Sequence, residues 1–139
     1  MAVYHITIDG PPKAQKRHKF GKGYVYDPSK KDKQQIIPIV QRYINAPNDV
    51  DGMAFKNSVP VHISFAFYMP IPKSWSKKKK LLLDDETTHH TSTPDIDNMI
   101  KLYMDVLPFN DKQVSVIRGA FKVYSPRPRV ELVLRIPAQ

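Results

Sequence analysis

"VPVHISFAFYMP", residues 59–70, is a long run rich in β-branched and aromatic side chains. Such residues suit a pleated, half-buried surface, so the run reads as a central strand. The remaining elements order themselves on either side of it. Upstream, "VYHITI" (residues 3–8) alternates as a strand does, and Gly10-Pro11-Pro12 ends it. Residues 11–33 are basic: Lys13, Lys16, Arg17, Lys19, Lys22, Lys30, Lys31 and Lys33 face only Asp27 and Asp32. Tyr24 and Tyr26 interrupt that segment, and Gly21 and Gly23 imply a mobile loop or a short hairpin. Asp27-Pro28-Ser29 is a helix-start pattern, with Asp27 as N-cap and Pro28 at the first helical position. That helix is expected to reach Ile44 and to bury Ile36, Ile37, Val40 and Ile44, with Pro38 forcing a kink or a later start. Residues 45–58 have turn composition and read as a connector.

Downstream, "IPKSWSKKKKLLLDDETTHHTST" (residues 71–93) has no clean amphipathic period. It reads as a basic helical turn capped by Ser74 or Ser76, followed by a loop. From Pro94 the pattern sharpens into a helix carrying Met99, Ile100, Leu102, Tyr103 and Val106 and stopping before Pro108. "KQVSVIRGAFKVY" (112–124) is a strand, Ser125-Pro126-Arg127-Pro128 a turn, and "RVELVLRI" (129–136) a closing strand expected to pair with it. The order strand, helix, strand, helix, strand, strand predicts one α/β (α+β) domain over residues 1–139. Its small mixed sheet has about four strands, with two main helices packed on one face.

Composition narrows the function classes. No apolar run approaches the roughly 20 residues of a membrane span, and the N-terminus shows no secretory signal pattern. There is no cysteine, so disulfides and thiolate metal sites are excluded and a reducing compartment fits. Net charge is +9, which favours a polyanionic partner such as nucleic acid.

Within that basic chain, "TPDIDNMIK" (93–101) sets Asp95 and Asp97 one residue apart. Lys101 and Asp105 follow Asp97 by four and eight residues, on one face of the helix, and Asp111 comes after "LPFN". One reading is structural: the aspartates cap the helix, Lys101 pairs with a neighbouring aspartate, and Asp111 begins a turn. The other is a divalent-metal site. Mg²⁺ prefers carboxylate oxygens and water, and a lysine beside it stabilises charge on a phosphate under attack.

"PDIDNMIK", then "NDKQV" about ten residues on, then "RVELVL", resembles the RusA family of Holliday junction resolvases. The likeness extends to "ITIDGPPKAQKRHKFGKGYVYDPSK" and "MPIPKSWSKKKK", and so to nearly the whole chain. It implies that Asp95, Asp97 and Asp111 bind Mg²⁺ or Mn²⁺, that Lys101 is the catalytic lysine, and that Asn98 orients a carboxylate. Asn110 stands where many relatives carry a second aspartate. The resemblance further implies a homodimer that cuts four-way DNA junctions with two symmetric nicks in recombination and repair. It implies a cytoplasmic, nucleoid-associated setting in a bacterial host, with a phage or prophage gene.

Lys13, Lys16, Arg17, Lys19 and Lys22, with Lys77, Lys78, Lys79 and Lys80, are the expected DNA contacts, with Tyr24, Tyr26 and Trp75 available for stacking. His89 and His90 stay outside the metal set, because adjacent loop histidines are seldom ligands for a hard cation. Phe109 is either a junction wedge, a subunit contact or a core contact. The alternative to an enzyme is a nucleic-acid-binding module whose carboxylates only cap a helix.

Overall fold

A computed structural model describes residues 2–44, 59–81, 83 and 85–137, so the connector expected at 45–58 lies outside the described residues. The central run forms strand β4 (Val61–Pro70). Val61, Ile63, Phe65, Phe67 and Met69 point into the core at 3% exposure or less, while His62, Ser64, Ala66 and Tyr68 are half-buried on the other face. Around it lie β1 (Ala2–Asp9), β5 (Val114–Ser125) and β6 (Arg129–Ile136), in the order β1-β6-β4-β5. A separate two-stranded sheet is made by β2 (Lys19–Gly21) and β3 (Tyr24–Tyr26), the short hairpin among the two expectations for that segment.

The strand pairing differs from expectation. β6 does not pair with β5; it runs antiparallel between β1 and β4, and β5 lies parallel to β4 at the sheet edge. Two physical reasons account for this. Val130, Leu132, Leu134 and Ile136 make β6 the more apolar strand, and a central position buries them. Pro126 and Pro128 also fill the linker between the two strands, which rules out a tight two-residue hairpin and carries the chain past the end of β4.

Helix α1 (Lys30–Ile44) begins later than its sequence pattern predicts. Asp27 Oδ1 accepts from the Ser29 amide (2.9 Å), and the helical ladder opens with Lys33 N donating to the Ser29 carbonyl (3.0 Å). The helix continues through Pro38, which sits on its exposed side, where water can satisfy the carbonyl the ring leaves unpaired. Ile36, Val40 and Ile44 are buried and Ile37 is half-buried. A short α2 (Lys77–Leu81) follows β4, its start marked by Lys79 N donating to Ser76 Oγ (3.2 Å).

Helix α3 (Ile96–Asp105) buries Met99, Leu102 and Tyr103 in the same core as α1. Burying each such side chain contributes roughly 1.5–3 kcal/mol. Phe67 packs between Phe65 (5.7 Å between centroids) and Tyr103 (5.8 Å), so α3 is fixed against the middle of the sheet. No helix among the described residues is long and apolar enough to cross a membrane.

Candidate functional site

Helix α3 presents its acidic first turn to solvent because its other side is committed to the core. Asp95 occupies the N-cap position with extended backbone (φ −69, ψ 143), yet its side chain makes no capping hydrogen bond. Asp97, in the first turn, is equally exposed. Lys101 is exposed one turn on and forms no ion pair among the described residues, so it is not the helix-pairing lysine of the structural reading. Asp105 leaves the stripe: it accepts from the Lys33 ammonium (2.9 Å), which also donates to Asp27 (2.7 Å). The Lys33 hydrogen bond holds the Asp27 carboxyl far below its ordinary range. Burial works against the Lys33 charge, but its two carboxylate partners outweigh it and raise its pKa. Asp105 therefore belongs to a clamp between α1 and α3.

The approach to Asp95 is fixed from the sheet. Residues 88–90 pair with the second half of the β5 edge: Tyr124 N donates to the Thr88 carbonyl and His90 N to that of Lys122 (3.0 Å each), with His89 bridged to Val123. The Lys122 ammonium then donates to the carbonyls of Ser92 (2.8 Å) and Pro94 (2.9 Å), the residue before Asp95. Upstream, Glu86 (φ 58, left-handed) accepts from Arg129 (2.7 Å) and from Ser125 Oγ (2.7 Å), and the Arg129 guanidinium lies 3.7 Å over the Tyr68 ring. Arg129 pulls the Glu86 carboxyl below its usual range.

His90 faces Tyr124 (4.9 Å). Burial lowers its pKa, and its Nδ1 is buried without a hydrogen-bond partner, the environment of a packed loop histidine. Trp75 also packs on Tyr124 (5.0 Å) and carries the Lys79 ammonium 3.8 Å from its ring centre. In this arrangement the Trp75 ring belongs to a cluster with Tyr124 and Lys79. That cluster holds Lys79, and with it the start of α2, beside Tyr124, two residues along β5 from the Lys122 that tethers Pro94.

The basic segment completes this end. Gln15 N donates to the Asn98 carbonyl (2.9 Å) and Lys13 N to the Tyr103 hydroxyl (3.0 Å), whose pKa burial pushes up to about 12. Between this basic strap, residues 12–16, and α3 opens a cleft of about 560 Å³ lined by Lys13, Lys16, Asp32, Pro94, Asp95 and Asn98. Arg17, Lys19 and Lys22 continue onto the exposed hairpin.

Asp111 lies elsewhere. It opens the 3₁₀ turn Asp111–Gln113, where Asn110 Oδ1 accepts from Lys112 N (3.0 Å), giving that asparagine a capping role. Gln113 Nε2 donates to the Val59 carbonyl (3.1 Å), so this turn sits where β4 and β5 begin. Val114 pairs with Val61, whereas Lys122, which holds Pro94, pairs with Phe67, six residues or roughly 20 Å further along β4. Among the described residues, no group of three or more His, Cys, Asp or Glu side chains converges as a metal cage would. Phe109 packs partly buried against the core.

Against known proteins, the family profile described as Endodeoxyribonuclease RusA matches residues 9–135. The chain is also 33% identical over 146 residues to an uncharacterized protein of Bacillus subtilis (strain 168), YqaN, with 97% of each chain covered.

Proposed function

The chain belongs to the RusA endodeoxyribonuclease family, and on that premise we propose that it resolves four-way DNA junctions by paired symmetric nicks, as a two-fold dimer using Mg²⁺ or Mn²⁺. The observation that carries the reading is the exposed pair Asp95 and Asp97, with Asp95 making no cap bond and lining a cleft walled by Lys13 and Lys16. Two such carboxylates suit a hard divalent cation, which when bound supplies Lewis-acid polarisation of the scissile phosphate. Lys13, Lys16 and the α2 lysines hold flanking phosphates. Lys101, one turn from Asp97 and outside every ion pair among the described residues, directs its ammonium to charge developing on the phosphate. Lys122 acts through Pro94, fixing where Asp95 points.

Asp111 joins the site from the second protomer. The first half of the β5 edge is free among the described residues and carries Val116 and Ile117 at 38% and 50% exposure. An open strand edge with apolar side chains favours pairing with another strand. Because the second half is occupied by residues 88–90, self-pairing centres near Ile117 and Arg118. Antiparallel pairing about that point sets the start of one β5 beside the end of the other. Asp111 of one protomer thereby approaches Lys122, Pro94 and the acidic turn of its mate. One two-fold contact would build both sites, one for each opposed strand.

The test is incubation with a synthetic four-way junction and a matched linear duplex, in Mg²⁺ and in EDTA. Expected are paired nicks in the junction with Mg²⁺, none with EDTA, and junction binding retained by Asp97→Asn. Binding without cutting in Mg²⁺ or Mn²⁺ would instead establish the non-catalytic nucleic-acid-binding module.

A further inference from the structure

The β2–β3 hairpin pairs with no other strand among the described residues, and its side chains face water. Phe20 is 86% exposed, Tyr24 61% and Val25 55%. The register sets Phe20 opposite Val25 on one face, and Lys19 opposite Tyr26 and Gly21 opposite Tyr24 on the other. The Tyr24 ring lies flat over Gly21, where a β-carbon would stand 2.6 Å from it, and its centroid is 6.0 Å from that of Tyr26. A two-stranded hairpin with no core of its own is marginal in isolation. Its aromatic faces are available to a partner.

The chemistry of that partner follows from the flanking charge. Residues 17–26 contain Arg17, His18, Lys19 and Lys22 and no acidic residue. Aromatic faces set among cations match a nucleic-acid strand, whose bases stack while its phosphates pair.

The root of the hairpin is stiff and sits beside the acidic turn. Gln15 N bonds the Asn98 carbonyl, one residue after Asp97, and Lys16 N donates to Ser29 Oγ (2.9 Å). On the returning strand, Asp27 accepts from Gln15 Nε2 (2.8 Å) and from Lys33 (2.7 Å). Six residues of extended chain from Lys16 carry the tip roughly 20 Å outward.

We propose that this hairpin is a base-stacking finger: Phe20 and Tyr24 receive bases unstacked at a DNA branch point next to the phosphate being cut. The inference rests on the nuclease reading above. In continuous duplex every base face is already covered by its neighbours, so the finger gains its contacts only where the stack is interrupted. It therefore contributes selectivity for branched over linear DNA, while the strap and α2 bind both.

The experiment uses a four-way junction and a duplex carrying 2-aminopurine at matched positions, titrated with protein in EDTA. Wild type should change the fluorescence of 2-aminopurine at the branch point and not of that in the duplex. Phe20→Ala with Tyr24→Ala, both at exposed positions, should abolish the change and weaken junction binding by about 5- to 100-fold, with duplex affinity altered less than about twofold. Equal loss on both DNAs, an unchanged ratio, or conversion of a sedimenting dimer to monomer would each overturn the finger. Wild type that cuts junctions while the double variant keeps its selectivity would sink the finger alone. Wild type that neither binds nor cuts junctions would remove the nuclease reading as well.

Discussion

Mixing Asp97→Asn with Asp111→Asn subunits should recover nicking that neither homodimer possesses. The Pro94 before the acidic turn is tethered to Lys122 near one end of the β4–β5 pair and Asp111 lies at the other end, and the proposed two-fold contact joins the acidic turn of each protomer to Asp111 of its mate. A mixed dimer then has one site lacking both aspartates and one site with the full set. Random exchange at equal amounts makes about half the dimers mixed, each with one live site of two, hence about a quarter of wild-type nicks. Each variant alone should be slower by on the order of 10³-fold, so recovery stands more than about a hundredfold above either. The assay is a fluorescently labelled junction with subunit exchange followed by a mass tag. The product must be a singly nicked junction, because one live site cuts one strand. Asp95→Asn mixed with Asp97→Asn is the control: both belong to one acidic turn, so each site stays damaged and nothing returns. Verified mixed dimers without recovery would refute the composite site, and so would recovery in the control.

Replacing Lys77–Lys80 with alanine should flatten the slope of log K against log salt by up to about one unit for each DNA phosphate those lysines neutralise; an unchanged slope would make the run solvated surface. Glu86→Gln removes the charge facing Arg129, whose side chain is only 8% exposed, and should cost about 1–3 kcal/mol in urea unfolding. A cost below about 0.5 kcal/mol would show that its other partners, Glu131 (3.4 Å) and the Arg127 carbonyl (3.0 Å), suffice for that guanidinium. Asp27 is depressed from its ordinary 3.8, so its stabilising effect is fully present above that pH and disappears as pH falls through its lower folded value. Wild type should therefore lose stability more steeply below about pH 4 than Asp27→Asn does; parallel melting curves would contradict the clamp.

Local patterns are readable from the sequence where one segment determines its own structure. The β4 run announces its position through composition, and α3 through its apolar spacing, including the burial of Met99, Leu102 and Tyr103. Adjacent-strand pairing is the natural reading of 112–136. It fails because burial across the whole sheet, not the intervening turn, ranks β6 above β5 for the interior. The acidic pair is visible because both residues open one helix. The position of Asp111 is not, since spacing along the chain does not say at which end of a strand a loop emerges. Lys122 and the Arg129–Glu86 strut escape for a related reason: their bonds join residues 28 and 43 positions apart, with no periodic signal between. Trp75 can be placed only once Tyr124 and Lys79 are seen on its ring.

The closeness of Asp95 and Asp97 is tolerable without any ion. Two exposed carboxylates repel by no more than about 1 kcal/mol in water even at roughly 4 Å, and salt screens that further. The positive end of α3 offsets it, since a carboxylate in the first turn gains typically about 0.3–1 kcal/mol. Folding of this turn thus depends on the packing of Met99, Leu102 and Tyr103 and on the Lys122 tether, not on a bound cation. The same openness that keeps repulsion small leaves both carboxylates exposed, Asp95 on the cleft that Lys13 and Lys16 also line. A helix N-terminus ordinarily draws anions to itself. Here two carboxylates already occupy it, so the turn repels a bare phosphate, and the cation proposed above would have to stand between them.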